Sequence, residues 1–223
     1  MGTQEAADTA TLEKRAAARA ASELVESGMR LGLGTGSTVA ELLPAIAERG
    51  LSDLRCVSTS PATERQAAAL GLNVEPFEAL DELDLAIDGA DQIAADGWVI
   101  KGGGGAHLRE KIVAAAADRF VVIASSEKSV ARLHAPVPLE LHQFGLAATL
   151  RRLSAARLRV GAPLSPDAGV IADLGEEPTD PRALAARLDA DPGVAAHGLF
   201  EPELTSLVIV ARGSEIERSE RGC

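Results

Sequence analysis

A chain of 223 residues and 23.0 kDa is long enough to bury a substantial core, as one large domain alone or with a smaller companion. Its apolar share is 46% but only 2% is aromatic, so Ala, Val, Leu and Ile must build that core and few rings remain for stacking on bases. A net charge of −11 sets the average field against nucleic acid and anionic membrane surfaces, so neither is expected as a partner, and an anionic small substrate needs a locally positive pocket.

Only four lysines (Lys14, Lys101, Lys111, Lys128) stand among eighteen arginines. A compact ammonium is not replaceable by a planar guanidinium at every site, which singles these four out. Two cysteines, Cys56 and Cys223, are too few for a disulfide framework, and a reducing, cytoplasmic setting is expected. No apolar run approaches the roughly 18 residues of a membrane span. The N-terminal stretch MGTQEAADTATLEK carries acids and no signal-type apolar region.

In chain order, residues 9–27 read as an Ala-rich helix broken by Gly28, after which RLGLG (30–34) is a short buried strand running into GTGST. A helix follows over about 37–49, then LRCVST (54–59) as strand, PATERQAAAL (61–70) as helix and LNVEPF (72–77) as strand. LDLAID (83–88) is an apolar strand stopped by Gly89; WVIKGG (98–103) leads into a helix near 105–117; RFVVIAS (119–125) is a further buried strand. Repeated β-α alternation predicts an α/β fold with a doubly wound, mostly parallel sheet, whose ligands bind where strands end. From about residue 130 the texture changes to Pro-punctuated extended segments, the helical FGLAATLRRL (144–153) and short strands near 157–160 and 169–174. We therefore expect a small α+β domain over 130–203, with SLVIVAR (206–212) returning to the large sheet, so that 1–129 plus 204–223 form the large domain.

Four segments carry chemistry. GLGTGST (32–38) ends a strand and opens a helix, so its amides and the hydroxyls of Ser37 and Thr38 suit an anion; the same pattern also makes a tight turn with a good N-cap. It lacks the third glycine of a dinucleotide fingerprint and the lysine of a P-loop. DLAIDGADQI (84–93) puts Asp88 and Asp91 at and just past a strand end, where carboxylates are expensive unless paired or used. A turn plus a helix cap is the plainer account of this pair, and a magnesium site lacks a third nearby ligand.

KGGGGAHLREK (101–111) is the most informative segment. Four consecutive glycines are entropically unfavourable in a folded chain and are better explained by backbone that must approach a ligand. Amides from Gly102 to Gly105 can form an anion-binding concavity beside Lys101, and Glu110 lies about one helical turn beyond Ala106. Proton abstraction beside a carbonyl needs a carboxylate base and something to hold the enediolate oxygens, and this segment offers both. Taken alone, Glu110 also reads as an ordinary surface residue paired with Arg109 or Lys111, and His107 as a helix-surface or pocket-lining residue. Lys128, in the Ser-rich turn ASSEKSV (124–130), is either part of a phosphate clamp or a solvent-exposed turn lysine. The four histidines have no zinc-type spacing, so no metal cofactor is expected, and no nucleophile elbow is present.

Together GTGST, DGAD, KGGGGAxxREK and the later SEK turn resemble, in order and spacing and over nearly the whole chain, the type A ribose-5-phosphate isomerase family. The resemblance implies a two-domain α/β protein, assembled as a dimer or tetramer, that interconverts ribose 5-phosphate and ribulose 5-phosphate in the pentose phosphate pathway without a metal or other cofactor. It further implies that Thr35, Gly36, Ser37 and Thr38 form a substrate loop, with Asp88, Gly89, Ala90 and Asp91 and the run Lys101, Gly102, Gly103 and Gly104 as the other walls. Lys14 and Lys128 match the family's phosphate-side lysines and Glu110 its catalytic base, with Asp88, Asp91 and Lys101 also in catalytic positions. Two departures stand out: Gln92, where the family often has glutamate, expected to retune the field near Asp91, and His107, expected to add a titrating group near the pocket. An amino-sugar phosphate deaminase, a CoA-transferase-like enzyme or a non-catalytic sugar-phosphate sensor are the competing expectations; ammonia release, acyl-CoA dependence or binding without turnover would mark them.

Overall fold

The computed structural model describes residues 2–221, so Cys223 lies outside the described residues. Six strands form the main sheet, in the spatial order Glu215–Glu220, Leu207–Arg212, Phe120–Ser125, Leu85–Gly89, Arg30–Leu33, Arg55–Ser58. All neighbours run parallel except the terminal hairpin strand Glu215–Glu220, which is antiparallel to Leu207–Arg212. The central strands are near-continuous apolar runs because both faces are covered.

The two-residue strand period sorts their side chains. Leu85, Ile87, Val121, Ile123 and Ile209 face a core completed by Ala17, Ala21, Leu42, Leu43 and Ile46 of the helices Gly2–Ser22 and Ser37–Ala47. Ala86, Val122, Ala124, Val208 and Val210 face the opposite core, with Val113 and Ala114 of the helix His107–Ala115. Asp88 is two residues beyond Ala86 and so points to the face of the Glu110 helix. Gly32 lets that helix sit close: a Cβ there would come within 2.5 Å of Val113 Cγ1.

After Arg30–Leu33 the chain pairs on one side with Arg55–Ser58 and on the other with Leu85–Gly89, so a topological switch point falls between the loops that follow Leu33 and Gly89. A second, fully antiparallel sheet has the order Val194–His197, Val137–Leu141, Val170–Leu174, Ala156–Leu158. It has its own core, containing Leu139, Leu174, Leu184 and Leu188, with the helix Pro181–Asp189 on it. The chain is thus an α/β protein with a smaller α+β unit.

Two features depart from the sequence reading. Residues 72–77 form no sheet strand: Val74 makes a single bridge to Cys56, and Pro76 leads into a short 3-10 turn at Phe77–Ala79. A third sheet, in the order Leu199–Phe200, Val99–Ile100, Gln92–Ala94, Ser129–Val130, was not foreseen; strands of two or three residues carry too little periodicity to read. It matters because it carries Lys101 away from the main sheet and brings it back over the switch point.

Candidate active site

Asp88 ends its strand with a carboxylate that is 3% exposed, and the bare backbone beside it makes this possible. A Cβ on Gly34 would overlap the Asp88 carboxyl at 1.9 Å, so the neighbouring strand end must be glycine. Asp88 Oδ1 accepts from the amides of Thr35 at 3.0 Å and Gly89 at 2.7 Å, while Oδ2 lies 2.8 Å from Lys101 Nζ.

Lys101, only 2% exposed, donates to the Gly89 carbonyl at 2.5 Å and stands 3.3 Å from Glu110 Oε2. Glu110 is 4% exposed, on the first turn of its helix, so its carboxylate enters a dry site facing the glycine run. One ammonium is thus shared by two buried carboxylates. Burial, and then the Asp88 charge, push the Glu110 carboxyl up to about 8 against the pull of Lys101. Asp88 is also raised by burial, against Lys101 and the two amides. Burial works to discharge Lys101, but the two carboxylates win and its pKa rises. With two amides and the shorter ion pair, Asp88 is the better-supported anion, which leaves the site's proton on Glu110 at neutral pH.

Above this triad opens a pocket lined by Lys14, Thr35, Gly36, Ser37, Thr38, Gly89, Ala90, Asp91, Lys101, Gly102, Gly103, Gly104, Glu110 and Lys128. Every residue that the family resemblance assigned to the substrate site lies on it except Asp88, which sits beneath, tied to Lys101; of the four lysines, Lys111 is not on it. Asp91 accepts from the Gly103 amide at 2.7 Å, and a Cβ on Gly103 would meet Asp91 Oδ1 at 2.7 Å, so the loop closes on the carboxylate only as glycine. Gly36 precedes the helix Ser37–Ala47, so that helix presents its N-terminus to the pocket that Lys14 and Lys128 also line.

Glu13 was not picked out from the sequence, where nothing distinguishes it from any helix-face acid. Its side chain is 4% exposed; Oε2 accepts from Ser126 N and Oγ at 2.9 and 2.8 Å, and Oε1 from Gly213 N at 2.7 Å. It pins the helix bearing Lys14 to the 3-10 turn bearing Lys128. Phe200 was missed as well, and both Lys101 Nζ, at 5.6 Å, and Lys111 Nζ, at 5.1 Å, stand over its ring.

The two departures turn away from the pocket. Gln92 is buried and clasps the backbone of His134, accepting from its amide and donating to its carbonyl, both at 2.9 Å; a glutamate can do only the first of these. His107 is neither a surface nor a pocket residue: it is fully buried behind Gly102, and burial drives its pKa down to about 3, so it stays neutral. Among the described residues, no three His, Cys, Asp or Glu side chains group as metal ligands, and no helix is long and apolar enough to cross a membrane.

A buried carboxyl–ammonium pair under a run of glycines, at the switch point of a parallel sheet, is the site of an enzyme suited to moving protons on a small anionic substrate. Residues 55–215 match the family model described as ribose 5-phosphate isomerase A (phosphoriboisomerase A). The chain is 48% identical to ribose-5-phosphate isomerase A of Methylorubrum extorquens over 206 residues, 84% of this chain and 87% of that one. A crystal structure of ribose 5 phosphate isomerase A from Neisseria gonorrhoeae superposes with a TM-score of 0.88 at 31% identity, covering 94% of this chain and 96% of that one. A D-ribose-5-phosphate isomerase solved in complex with phospho-erythronic acid also gives 0.88 at 31% identity, covering 93% and 97%. The chain belongs to the ribose 5-phosphate isomerase A family of aldose–ketose isomerases.

Proposed function

We propose that the pocket interconverts ribose 5-phosphate and ribulose 5-phosphate through a cis-enediolate, with Glu110 as the base. Asp88, with Lys101, assists opening of the furanose ring. Glu110 as carboxylate then removes the C2 proton; the C–H electron pair forms the C1–C2 double bond, and the aldehyde oxygen takes the negative charge. Lys101 and the amides of Gly102 to Gly104 hold that charge, preorganised donors being worth roughly 3–4 kcal/mol each over water. Glu110 returns its proton to C1 while the hydroxyl proton of O2 passes to O1, with Asp91 orienting the oxygens, and the carbonyl is left at C2. Lys14, Lys128 and the Ser37–Thr38 helix terminus bind the phosphate.

The observation that carries the reading is the Glu110–Lys101 contact, 3.3 Å between two nearly inaccessible side chains that both line the pocket. The acid found in the related complex is a four-carbon carboxylate bearing a phosphate, an analogue of the anionic, oxygen-rich intermediate, and it is expected to bind here too. The deciding experiment is an absorbance assay for ribulose 5-phosphate formed from ribose 5-phosphate in EDTA. Formation of the ketose supports both the reaction and its independence of a metal; no ketose in EDTA with recovery on adding a divalent cation overturns the metal-free mechanism, and no ketose under either condition overturns the reaction.

We further take residues 130–203 as the unit that mediates assembly into a dimer or tetramer in the cytoplasm. Phe144 and Val160 there are 97% and 98% exposed, and Cys56 is a buried, unpaired thiol. Light scattering at working concentration measures the assembly state; a monomer rejects this part.

A further inference from the structure

One arginine outside the pocket reaches the loop that the mechanism depends on. Arg159 follows the short strand Ala156–Leu158, and its amide donates to Ile171 O at 3.0 Å, which fixes its backbone to the strand Val170–Leu174. Its guanidinium grips Asp173 on that strand with two bonds, Nε to Oδ2 at 2.9 Å and Nη2 to Oδ1 at 2.5 Å. The fork is thereby held rigid, and its remaining amino group points at the glycine run. Arg159 Nη1 donates to the carbonyls of both Gly102 and Gly103 at 3.0 Å.

Peptide geometry turns this contact into chemistry. Both linkages in the run are trans, so each carbonyl and the N–H of the following residue point to opposite sides. Drawing the Gly102 carbonyl toward Arg159 sends the Gly103 N–H the other way, where it donates to Asp91 Oδ2. Drawing the Gly103 carbonyl toward Arg159 does the same to the Gly104 N–H, which has no acceptor among the described residues, on a residue that lines the pocket. The Gly102–Gly103 plane is also held by the Gly105 amide, which donates to the Gly102 carbonyl at 3.0 Å, and by Asp91, whereas for the Gly103–Gly104 plane Arg159 is the one partner found among the described residues, and glycine backbone otherwise leaves it free to rotate. Lysine does not substitute, because one ammonium cannot grip a carboxylate bidentately and also face two carbonyls in the same plane.

We propose that Arg159, held by Asp173, is a positioning residue that aims the Gly104 amide at the developing enediolate oxygen. The proposal deepens the isomerase reading and rests on it. It makes the small antiparallel sheet part of the catalytic apparatus, because an oxyanion donor of the main site takes its orientation from that sheet.

The test compares wild type with Arg159→Lys, Arg159→Gln and Asp173→Asn. For each, kcat and KM for ribose 5-phosphate are measured, with dissociation constants for phospho-erythronic acid and for inorganic phosphate, and circular dichroism to confirm folding. Misaligning a group by about 1 Å lowers rates on the order of 100-fold. A fall in kcat of roughly 10- to 100-fold is therefore expected, with a matching loss of affinity for the acid, while KM and phosphate binding stay within about threefold. Arg159→Lys should fall with the others although it keeps the charge. A folded Arg159 variant with kcat within about twofold of wild type overturns the proposal, as does a normal Arg159→Lys beside a crippled Arg159→Gln, which makes the effect one of charge alone. Equal losses for the acid and for inorganic phosphate overturn it too, since they signal general loosening. If one variant does not fold, the others decide; if none folds, Arg159 is structural and the proposal fails. Wild type that binds the acid but forms no ketose sinks the isomerase reading instead, and is distinguished by the wild-type assay alone.

Discussion

Glu110 and Asp88 share one ammonium, that of Lys101, at 3.3 and 2.8 Å, and all three side chains are buried. Two carboxylates on one cation in a dry site cannot be equally ionised, and the pair divides into a supported anion, Asp88, and a carboxyl poised to exchange its proton, Glu110.

Replacing Glu110 by Gln removes the base and keeps the shape. We expect kcat to fall by at least about a thousandfold, with affinity for ribose 5-phosphate changed by no more than a few-fold, because the group acts in the transition state and not in ground-state binding. Steady-state kinetics beside calorimetric binding checks this. A variant with near-normal turnover places the base elsewhere.

The pH dependence follows from the same residue. The free enzyme must lose the Glu110 proton to act as base, and that carboxyl is pushed up to about 8 by burial and by Asp88. The logarithm of kcat/KM is expected to climb as pH rises toward about 8 and then level off. A profile already flat from pH 5 upward contradicts the assignment of Glu110 as a protonated resting carboxyl. In Glu110→Gln the climbing limb disappears from whatever residual rate remains.

Much of this site was legible in the sequence because parallel-sheet architecture concentrates it. Once RLGLG, LDLAID and RFVVIAS are read as buried parallel strands, the loops beginning at Gly34, Gly89 and Ser126 must share one edge. The run Gly102 to Gly105 was readable as a close approach to a ligand, but that Gly34 and Gly103 make room for the carboxylates of Asp88 and Asp91 was not. The rest depended on long-range contacts that leave no local trace. Glu13 shares its helix with Glu5 and Asp8, and only the fold sets it against Ser126 and Gly213. His107 was misread as a surface or pocket-lining residue because a nine-residue helix with weak periodicity does not reveal which face meets the second sheet. Arg159 lies in a segment whose strands are too short to predict register.

Glu13 gives the next prediction. It joins the turn carrying Lys128 to the helix carrying Lys14, so Glu13→Gln should act on the phosphate end of the site. KM for ribose 5-phosphate is expected to rise several-fold with kcat nearly unchanged, as for Lys14→Ala and Lys128→Ala. Once either lysine is gone, adding Glu13→Gln should raise KM by less than it does alone, since all three changes act through one clamp. Measuring KM across that cycle decides it; strictly additive effects, or a loss confined to kcat, remove Glu13 from the phosphate site. Free ribose, lacking the phosphate, should be a poor substrate that none of the three substitutions worsens.

Stability carries the last prediction, because the Glu110 shift is also a statement about folding. Its carboxyl titrates near 4.5 when unfolded and near 8 when folded, so between those values the native state binds the extra proton. The sign is then fixed: with the unfolded chain binding fewer protons than the folded one, this residue's contribution to stability falls as pH rises from about 4.5 to about 8. Glu13 has the opposite sign. Its pKa is lowered, although burial alone would raise it, because Gly213 and Ser126 donate to the carboxylate; its contribution is present above 4.5 and is lost as pH falls below that value. The two windows do not overlap, so they can be separated in one experiment. Urea unfolding of Glu110→Gln at several pH values should show a shallower loss of stability from pH 5 to 8 than wild type, while Glu13→Gln should be destabilised at pH 7 and approach wild type below pH 4. A Glu110→Gln curve parallel to wild type from pH 5 to 8 means that the carboxyl is ionised in the empty pocket, and the resting site then holds its proton on Asp88 or on no carboxylate at all.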